Sequence, residues 1–158
     1  MTEGQEVVVQ VSKGPISTKG ARVTAHIALP GRYVVYMPTV EHVGVSKRIG
    51  KDKERRRLKE VIESMKPEKG GVVVRTLAQG LTKKKLKADV GSLVKLWSDG
   101  EETPHANEKP PKKRKAPYLV HEEPDVVLRA ARDMFTEDVA PPLIDDPIQF
   151  EKIRAFLE

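Results

Sequence analysis

The stretch that decides the fold is residues 22–37, RVTAHIALPGRYVVYM. Apolar and polar residues alternate over Arg22–Leu29, and this period of two is typical of a half-buried β-strand. Pro30-Gly31 is a turn signal, and the β-branched and aromatic residues of Arg32–Met37 favour a second strand after it. Glu6–Val11 is also β-rich and is expected to join the first strand as a hairpin with a long loop.

Two amphipathic helices are predicted after these strands. In Lys51–Met65, apolar residues recur at i, i+3, i+4 and i+7, which places them on one face of a helix. A second helix is expected at about Leu81–Trp97, and the short run Val72–Thr76 between the two helices is expected to form a buried strand. We therefore predict an α+β or α/β chain that contains a small mixed sheet and two amphipathic helices.

Residues 98–116, SDGEETPHANEKPPKKRKA, interrupt this pattern. They show no apolar periodicity, contain three prolines and cluster their charges, so we interpret them as a basic, flexible linker. Residues 117–158 predict strand–helix–strand–helix, with Tyr118–His121 and Leu143–Asp145 as the parallel strands of an incomplete βαβ unit. The first of these helices would open at Pro124. Its inner side would carry Val127, Ala130, Ala131, Met134 and Phe135.

Composition and charge narrow the possible functions. The 158 residues include 29 Lys and Arg against 23 Asp and Glu, and the net charge of +6 suits a polyanionic partner. The chain has no cysteine, which excludes disulfides, thiolate catalysis and Cys-ligated metal sites. Its apolar runs fall far short of the ~20 residues of a membrane span, and its polar, acidic start is unlike a secretory signal. We therefore expect a soluble, cytoplasmic protein with no membrane span.

Arg75-Thr76, at the end of the short strand, is the first candidate for binding chemistry. The planar guanidinium of an arginine fits a phosphate through two parallel hydrogen bonds, and a neighbouring threonine hydroxyl can add a third. Gly31 lies in a turn, where the missing side chain lets backbone N–H groups approach an anion. From these residues alone, a surface arginine beside a strand-forming threonine is the commoner outcome, and that alternative stays open.

Basic runs could also neutralise the backbone of a nucleic acid. Lys47-Arg48 fits this interpretation as well as it fits an ordinary exposed loop. In Arg55–Arg57, interleaved acidic residues favour a solvated helix face instead. Basic residues are more concentrated in the runs Lys83–Lys85 and Lys112–Lys115. Runs of this kind are usually exposed to solvent without a binding role.

No catalytic or metal-binding constellation is predicted. Asp145-Asp146 is an adjacent aspartate pair, but Asp146 is better explained as the N-cap of a last helix. The four histidines lie in different predicted elements without the spacing of metal ligands, and no Gly-rich P-loop, GxSxG or HExxH motif occurs. With aromatic residues at only 4%, a stacking platform for many bases is not expected either.

Four stretches together resemble the bacterial ribonuclease E/G family of endoribonucleases. They are GQEVVVQVSKGPISTKGARVTAHIALPGRYVVYMP (4–38), GVSKRI (44–49), VVVRT (72–76) and APYLVHEEPDVVLRAARDMFTEDV (116–139). The resemblance implies the last strand of an OB-fold domain at residues 1–11 and a sensor of RNA 5′ ends at 12–97. The linker 98–116 would then lead to the opening of a ribonuclease H-like subdomain at 117–158.

The resemblance also assigns expected binding residues one by one. Arg75 and Thr76 fall where the family grips the terminal phosphate of RNA by side chains, and Gly31 falls at the backbone contact. Val35 falls where an apolar side chain supports the first base. Lys47 and Arg48 fall at a basic pair that would contact the RNA backbone, and the first of them is more often arginine in the family.

These assignments imply a protein that binds single-stranded RNA at its 5′ monophosphate without cutting it. The magnesium-binding aspartates and the zinc-sharing cysteine motif of the family belong to a subdomain expected beyond residue 158, so no catalytic residue, metal site or cofactor is expected here. The rival expectation is an endoribonuclease subunit that acts when a separate polypeptide supplies the Mg²⁺ site. A third is a structural remnant that binds RNA indiscriminately. The incomplete tail is expected to be less stable than the body and to dock on it or self-associate.

Overall fold

The computed structural model describes residues 2–102, 116–135 and 143–157. These residues form a mixed α+β structure, as the sequence predicts. The chain divides into two compact units, Met1–Tyr118 and Leu119–Glu158. The strands are β1 Gln10–Lys13, β2 Arg22–Thr24, β3 Leu29–Pro30, β4 Val34–Met37, β5 Val43–Val45 and β6 Gly71–Val74. The helices are α1 Asp52–Glu63, α2 Lys83–Glu102, α3 Val126–Met134 and α4 Pro147–Leu157, and Thr76–Ala78 is a 3₁₀ turn.

The main sheet of the first unit has four strands in the order β3-β4-β6-β5. β4 pairs with both β3 and β6 in antiparallel fashion, whereas β5 runs parallel to β6. The chain can reach this parallel register because α1 lies between β5 and β6 in the sequence and provides the crossover. One consequence matters for function: β4 starts at the same end of the sheet at which β5 and β6 finish.

One face of this sheet carries the hydrophobic core. Alternate residues of β4 and β6 point to that face and are buried, while Val35 and Val73 between them are half-buried on the other face. Both α1 and α2 contribute side chains to the same core, so both lie on one side of the sheet. The buried core side chains are Ile27, Leu29, Val34, Tyr36, Ile49, Leu58, Ile62, Val72, Val74, Ala78, Leu86, Val90 and Leu93.

The predicted strand Arg22–Leu29 is wrong as a single element, because it divides into two. Residues up to Thr24 pair with β1, and Leu29 pairs with Tyr36 of the main sheet. Between them the chain turns, and the backbone N–H of His26 donates a hydrogen bond of 3.1 Å to Thr24 Oγ1. A threonine that bonds the backbone two residues later favours a turn over an extended ladder.

Helix α2 is longer than predicted. It begins at Lys83 and runs to Glu102, past Trp97 and into the segment interpreted as a linker. The extension is understandable because no proline occurs before Pro104, and the Ser98 hydroxyl donates to the Val94 carbonyl, 3.1 Å away within the helix. The rest of the predicted linker, residues 103–115, lies outside the described residues.

The second unit contains helices but lacks the predicted strands. Within residues 116–135 and 143–157, neither Tyr118–His121 nor Leu143–Asp145 forms a strand. Their side chains explain this, since Leu119 is 53% exposed and Leu143 fully exposed, so neither segment packs like a buried parallel strand. Pro141-Pro142, which the sequence places at the start of the second strand, lies outside the described residues.

The two helices of this unit begin at aspartate caps. Asp146 accepts backbone hydrogen bonds from Ile148 and Gln149, at 2.8 and 3.2 Å, which confirms its predicted role as an N-cap. The other helix begins after Asp125 rather than at Pro124, because the Asp125 carboxylate accepts the Leu128 N–H at 3.0 Å. Its predicted inner side is right for buried Ala131 and wrong for two exposed residues, Ala130 and Met134, the second of which is 67% exposed.

Candidate functional site

Three segments of the first unit meet at one end of the main sheet. Val34 pairs with Val74, and Val45 pairs with the same Val74 from the other side. The residues just before β4 and just after β5 and β6 must therefore lie side by side. We call this place the basic end, and it consists of Gly31–Tyr33, Ser46–Arg48 and Arg75-Thr76.

Arg75 is held in a fixed position at the basic end. Its backbone N–H donates to the Tyr33 carbonyl at 2.8 Å, and its guanidinium donates from Nη1 to the Gly31 carbonyl at 2.5 Å. Gly31 in turn donates its own N–H to the Val34 carbonyl at 2.8 Å. The structure thus brings the predicted residues Arg75 and Gly31 together, and it joins them through the carbonyl of the glycine.

Asp89 of α2 fixes the segment that holds Arg75. Its two carboxylate oxygens accept the backbone N–H groups of Arg32, Tyr33 and Val34, at 3.3, 2.8 and 2.9 Å. A Cβ on Gly31 would lie 2.8 Å from one of these oxygens, so the close approach requires glycine. Successive backbone N–H groups that converge in this way form an anion nest, and here the protein's own carboxylate fills it.

Thr76 lies beside the loop that carries the predicted basic pair. Its Oγ1 is 3.1 Å from Ser46 Oγ, and either hydroxyl can be the donor. Ser46 Oγ also accepts the backbone N–H of Arg48 at 3.3 Å. Ser46 therefore connects Thr76 to the loop of Lys47 and Arg48, whose side chains are both exposed.

Val35, the predicted base contact, lies on the face of the sheet that α1 and α2 leave uncovered. It is half-buried and pairs with Val73 of β6. Arg75 lies two residues after Val73, so strand alternation puts both on this face. The structure therefore places the apolar Val35 within one strand spacing of the strand that leads to Arg75.

A network between α1 and the loop after Thr76 supports the basic end. Arg57 donates two hydrogen bonds of 2.8 and 2.7 Å to the Glu54 carboxylate and one of 3.1 Å to the Leu81 carbonyl. Glu54 also accepts the Gly80 N–H at 2.9 Å. These bonds from Arg57 and Gly80 lower the pKa of Glu54 from 4.5 to about 2. The carboxylate is therefore charged at neutral pH and holds the loop against the helix.

The other basic runs are weaker candidates for ligand binding than the basic end. Arg55 and Arg57 form ion pairs with Asp52 and Glu54, so their charges are paired within the helix, as the interleaved acidic residues predict. An open depression of about 660 Å³ on this helix has walls of mixed charge. It is lined by Lys51, Lys53, Glu54, Arg56, Arg57 and Glu60. Lys83–Lys85 is exposed on the first turn of α2, and Lys112–Lys115 lies outside the described residues.

Metal ligands are not assembled in the part of the chain that the structure describes. No group of three or more His, Cys, Asp or Glu side chains there could hold an ion. Asp146 of the adjacent aspartate pair serves as a helix cap. None of the described helices has the length and apolarity that a membrane crossing requires.

Asp89 and Ser46 are the site residues that sequence reasoning missed. Asp89 lies in a helix beside the apolar residues Leu86, Val90 and Leu93, and Ser46 lies in a short loop. Neither position stands out from its local sequence as part of a site. A carboxylate bordering the inner stripe of a helix is a usable signal, because it needs hydrogen-bond partners there.

The fold and the basic end together define a class of protein. It is an α+β unit that presents a fixed arginine, two hydroxyls and exposed cations at one end of its sheet, an arrangement suited to a phosphate-bearing ligand. Comparison with known proteins gives the family. The chain belongs to the Ribonuclease E/G family, whose family model matches residues 28–158, and this confirms the resemblance described above.

Individual relatives match nearly the whole chain. Ribonuclease G of Haemophilus influenzae is 38% identical over 156 residues, which make up 99% of this chain and 30% of that protein. Ribonuclease G of Escherichia coli K12 is 37% identical over 154 residues, or 98% of this chain and 30% of the relative. Ribonuclease E of Haemophilus influenzae is 38% identical over 160 residues, or 100% of this chain and 16% of the relative. The chain thus spans less than a third of the length of these relatives.

Proposed function

We propose that this chain binds single-stranded RNA and recognises a 5′ monophosphate at the basic end. The observation that carries the proposal is the fixed Arg75 guanidinium, which lies at the same end of the sheet as the Thr76 and Ser46 hydroxyls. The names of the relatives, ribonucleases G and E, support RNA as the ligand class. The net charge of +6 favours the same class.

Each polar group at the basic end has a distinct task in this proposal. Arg75 presents its planar fork to two phosphate oxygens, because its bond to Gly31 fixes the plane of the guanidinium. Thr76 and Ser46 share one hydroxyl hydrogen in their mutual bond, which leaves the other hydrogen to donate to the phosphate. Lys47 and Arg48 are exposed and neutralise the RNA backbone beyond the first nucleotide. Val35 packs on the first base.

Recognition of the 5′ end follows from the charge of the ligand. A 5′ monophosphate brings up to two negative charges to Arg75, and a 5′ hydroxyl brings none. Hydrogen bonds to charged groups are worth ~1.5–3 kcal/mol each. One such bond is enough for a preference of about ten-fold or more.

The test compares one oligonucleotide with a 5′ monophosphate and with a 5′ hydroxyl. We expect the wild type to bind the first about ten- to a hundred-fold more tightly, which is ~1.5–3 kcal/mol. Arg75→Ala should remove this preference, because the charge-assisted bonds to the phosphate are lost. The matched control is Arg56→Ala on the exposed face of α1, which should weaken both ligands alike.

Two results would contradict the proposal. Equal affinity of the wild type for both RNA ends would exclude 5′ recognition. If Arg75→Ala weakened every RNA to the same extent, Arg75 would contribute general charge only. Circular dichroism and the unfolding midpoint of each variant show whether the fold is retained.

A second candidate function is an endoribonuclease subunit, and the names of the relatives, ribonucleases G and E, favour it. The described residues do not fit Mg²⁺, since they offer no cluster of acidic ligands. We place the metal on a separate polypeptide or on residues outside this chain. Incubation of the purified chain with Mg²⁺ and 5′-monophosphorylated RNA should yield no cleavage, and cleavage would reverse this assignment.

A further inference from the structure

Three side-chain positions form a row across the uncovered face of the main sheet. Val35 of β4 pairs with Val73 of β6, and Val73 pairs with Gly44 of β5. Paired residues in a sheet point to the same face, so the three positions are direct neighbours. All three are half-buried, which means that each keeps accessible surface.

The imidazole of His42 completes this row. A Cβ on Gly44 would lie 2.9 Å from His42 Nε2, 3.3 Å from His42 Cδ2 and 3.5 Å from Val73 Cγ2. The His42 ring therefore occupies the space above Gly44, and Val73 Cγ2 lies next to the same space. Any side chain at position 44 would push the ring away, so the glycine makes the arrangement possible.

The backbone holds His42 in place. Its carbonyl accepts the Val72 N–H at 2.7 Å. A Cβ on Gly71 would overlap the backbone N and O of His42, which shows how closely this loop packs on β6. The side chain itself is exposed. An aromatic ring on a fixed backbone loses little freedom when a ligand stacks on it.

We propose that His42, Gly44 and Val73 form a shelf for the second nucleobase of the bound RNA. The inference rests on the proposed function, which puts the 5′ phosphate on Arg75 and the first base on Val35. The shelf starts one strand away from Val35, about 4.8 Å, so it is the next surface that the chain of nucleotides meets. The cations Lys47 and Arg48 stand at the end of β5, which carries Gly44, and complement the charge of the RNA backbone.

The chemistry of the shelf predicts what it recognises. Every base has a π face that can stack on an imidazole, so the shelf should accept any base at the second position. A ring that stacks presents its face to the base, so its two nitrogens lie in the plane of the ring and do not read the edge of that base. Recognition would therefore depend on the presence of a base and not on its identity.

The experiment removes the base from the RNA and the ring from the protein. Affinities are measured for a 5′-monophosphorylated oligonucleotide with a base at nucleotide 2 and for the same molecule with an abasic nucleotide 2. We expect the wild type to lose about ten-fold in affinity on the abasic RNA, equivalent to ~1.4 kcal/mol and within the range of base–aromatic stacking. His42→Ala should bind the intact RNA about ten-fold more weakly and the abasic RNA as the wild type does.

Three further variants sharpen this test. His42→Phe should restore most of the affinity for intact RNA, because it keeps a ring that stacks. Gly44→Ala should act like His42→Ala, since its Cβ displaces the imidazole. The matched control is His26→Ala, at an exposed histidine between β2 and β3, and it should leave both affinities unchanged.

The outcomes separate the shelf from the proposed function. If the wild type prefers 5′-monophosphorylated RNA but binds intact and abasic RNA equally, the shelf is excluded and the proposed function stands. The shelf is likewise excluded if His42→Ala weakens the binding of both RNAs by the same factor. If the wild type shows no preference for the 5′ monophosphate, the proposed function fails, and the shelf fails with it.

Discussion

At the scale of single residues, the candidate site depends on side chains whose partners are distant in the sequence. Asp89 binds backbone groups that lie 55 to 57 residues earlier, and Ser46 meets Thr76 across 30 residues. Periodicity tells which face of a helix a residue occupies, but it does not tell which loop that face meets. An arginine and a hydroxyl at a strand end made Arg75 and Thr76 candidates for phosphate binding, and the family resemblance singled them out. The hydrogen bonds that fix their geometry could not be predicted from the sequence.

Removal of the Asp89 carboxylate should loosen the basic end. In Asp89→Ala, three backbone N–H groups of Arg32, Tyr33 and Val34 lose their acceptor in a partly buried place. Unsatisfied donors cost ~1–3 kcal/mol each, and partial access of water reduces the sum, so we expect a loss of about 2–4 kcal/mol in the free energy of unfolding. Asp89→Asn keeps one acceptor oxygen and should lose less.

Denaturant titration measures these losses, with Lys87→Ala on the exposed side of α2 as the control that should change little. Asp89→Asn should also reduce the preference for 5′-monophosphorylated RNA, because the carbonyl of Gly31 that orients Arg75 is then less firmly placed. If both Asp89 variants kept the stability of the wild type and its preference for 5′-monophosphorylated RNA, the segment Gly31–Tyr33 would keep its conformation without the Asp89 carboxylate.

At the scale of elements, the sequence predicted β4, β6 and both helices of the first unit, but it missed β5. It also failed where the choice of pairing partner, and not the local pattern, determines the strand. β4 and β6 are rich in valine and bury alternate residues, so local pattern and tertiary environment agree. Arg22–Leu29 alternates equally well, yet its two ends pair with different sheets. The tail segments Tyr118–His121 and Leu143–Asp145 are apolar enough for strands, but within the described residues neither of them forms one.

The network of Glu54 and Arg57 gives the loop after Thr76 a measurable pH dependence. The folded-state pKa of Glu54 is about 2, below its ordinary 4.5. The stabilisation by Glu54 is therefore fully present above pH 4.5 and is lost as the pH falls through about 2. Glu54→Gln should have a smaller free energy of unfolding than the wild type at pH 7. This difference in unfolding free energy should become smaller below pH 4.5.

Unfolding free energies of both proteins between pH 7 and pH 2 check this expectation. Glu63→Gln is the matched control, because Glu63 is exposed and its nearest cation, Lys59 Nζ, is 3.7 Å away. The unfolding free energy of Glu63→Gln should stay close to that of the wild type at every pH. A gap for Glu54→Gln that does not vary with pH would show that the carboxylate holds Gly80 without help from its charge.

At the scale of the whole molecule, the two units differ in how much apolar surface they bury. The core of the first unit joins side chains from its strands and from two helices. In the described residues of the second unit, only Ala131 and Ile153 are buried, and Phe150 is 44% exposed. Since burial of apolar surface is the dominant favourable contribution to folding, the second unit should have the smaller stability of its own.

Hydrogen exchange should show this difference directly. We expect the amides of α3 and α4 to exchange at a free energy well below that of β4, β6 and α1, because the described residues of their unit bury little apolar surface. Asp125 connects the two helices of the second unit, since it caps α3 through the Leu128 N–H and pairs with Lys152 of α4. Asp125→Ala should therefore speed exchange in α3 and α4 together and leave the first unit unchanged, whereas Asp145→Ala, at an exposed residue before α4, should have little effect. Equal protection in both units would mean that the second unit is as stable as the first despite its small core.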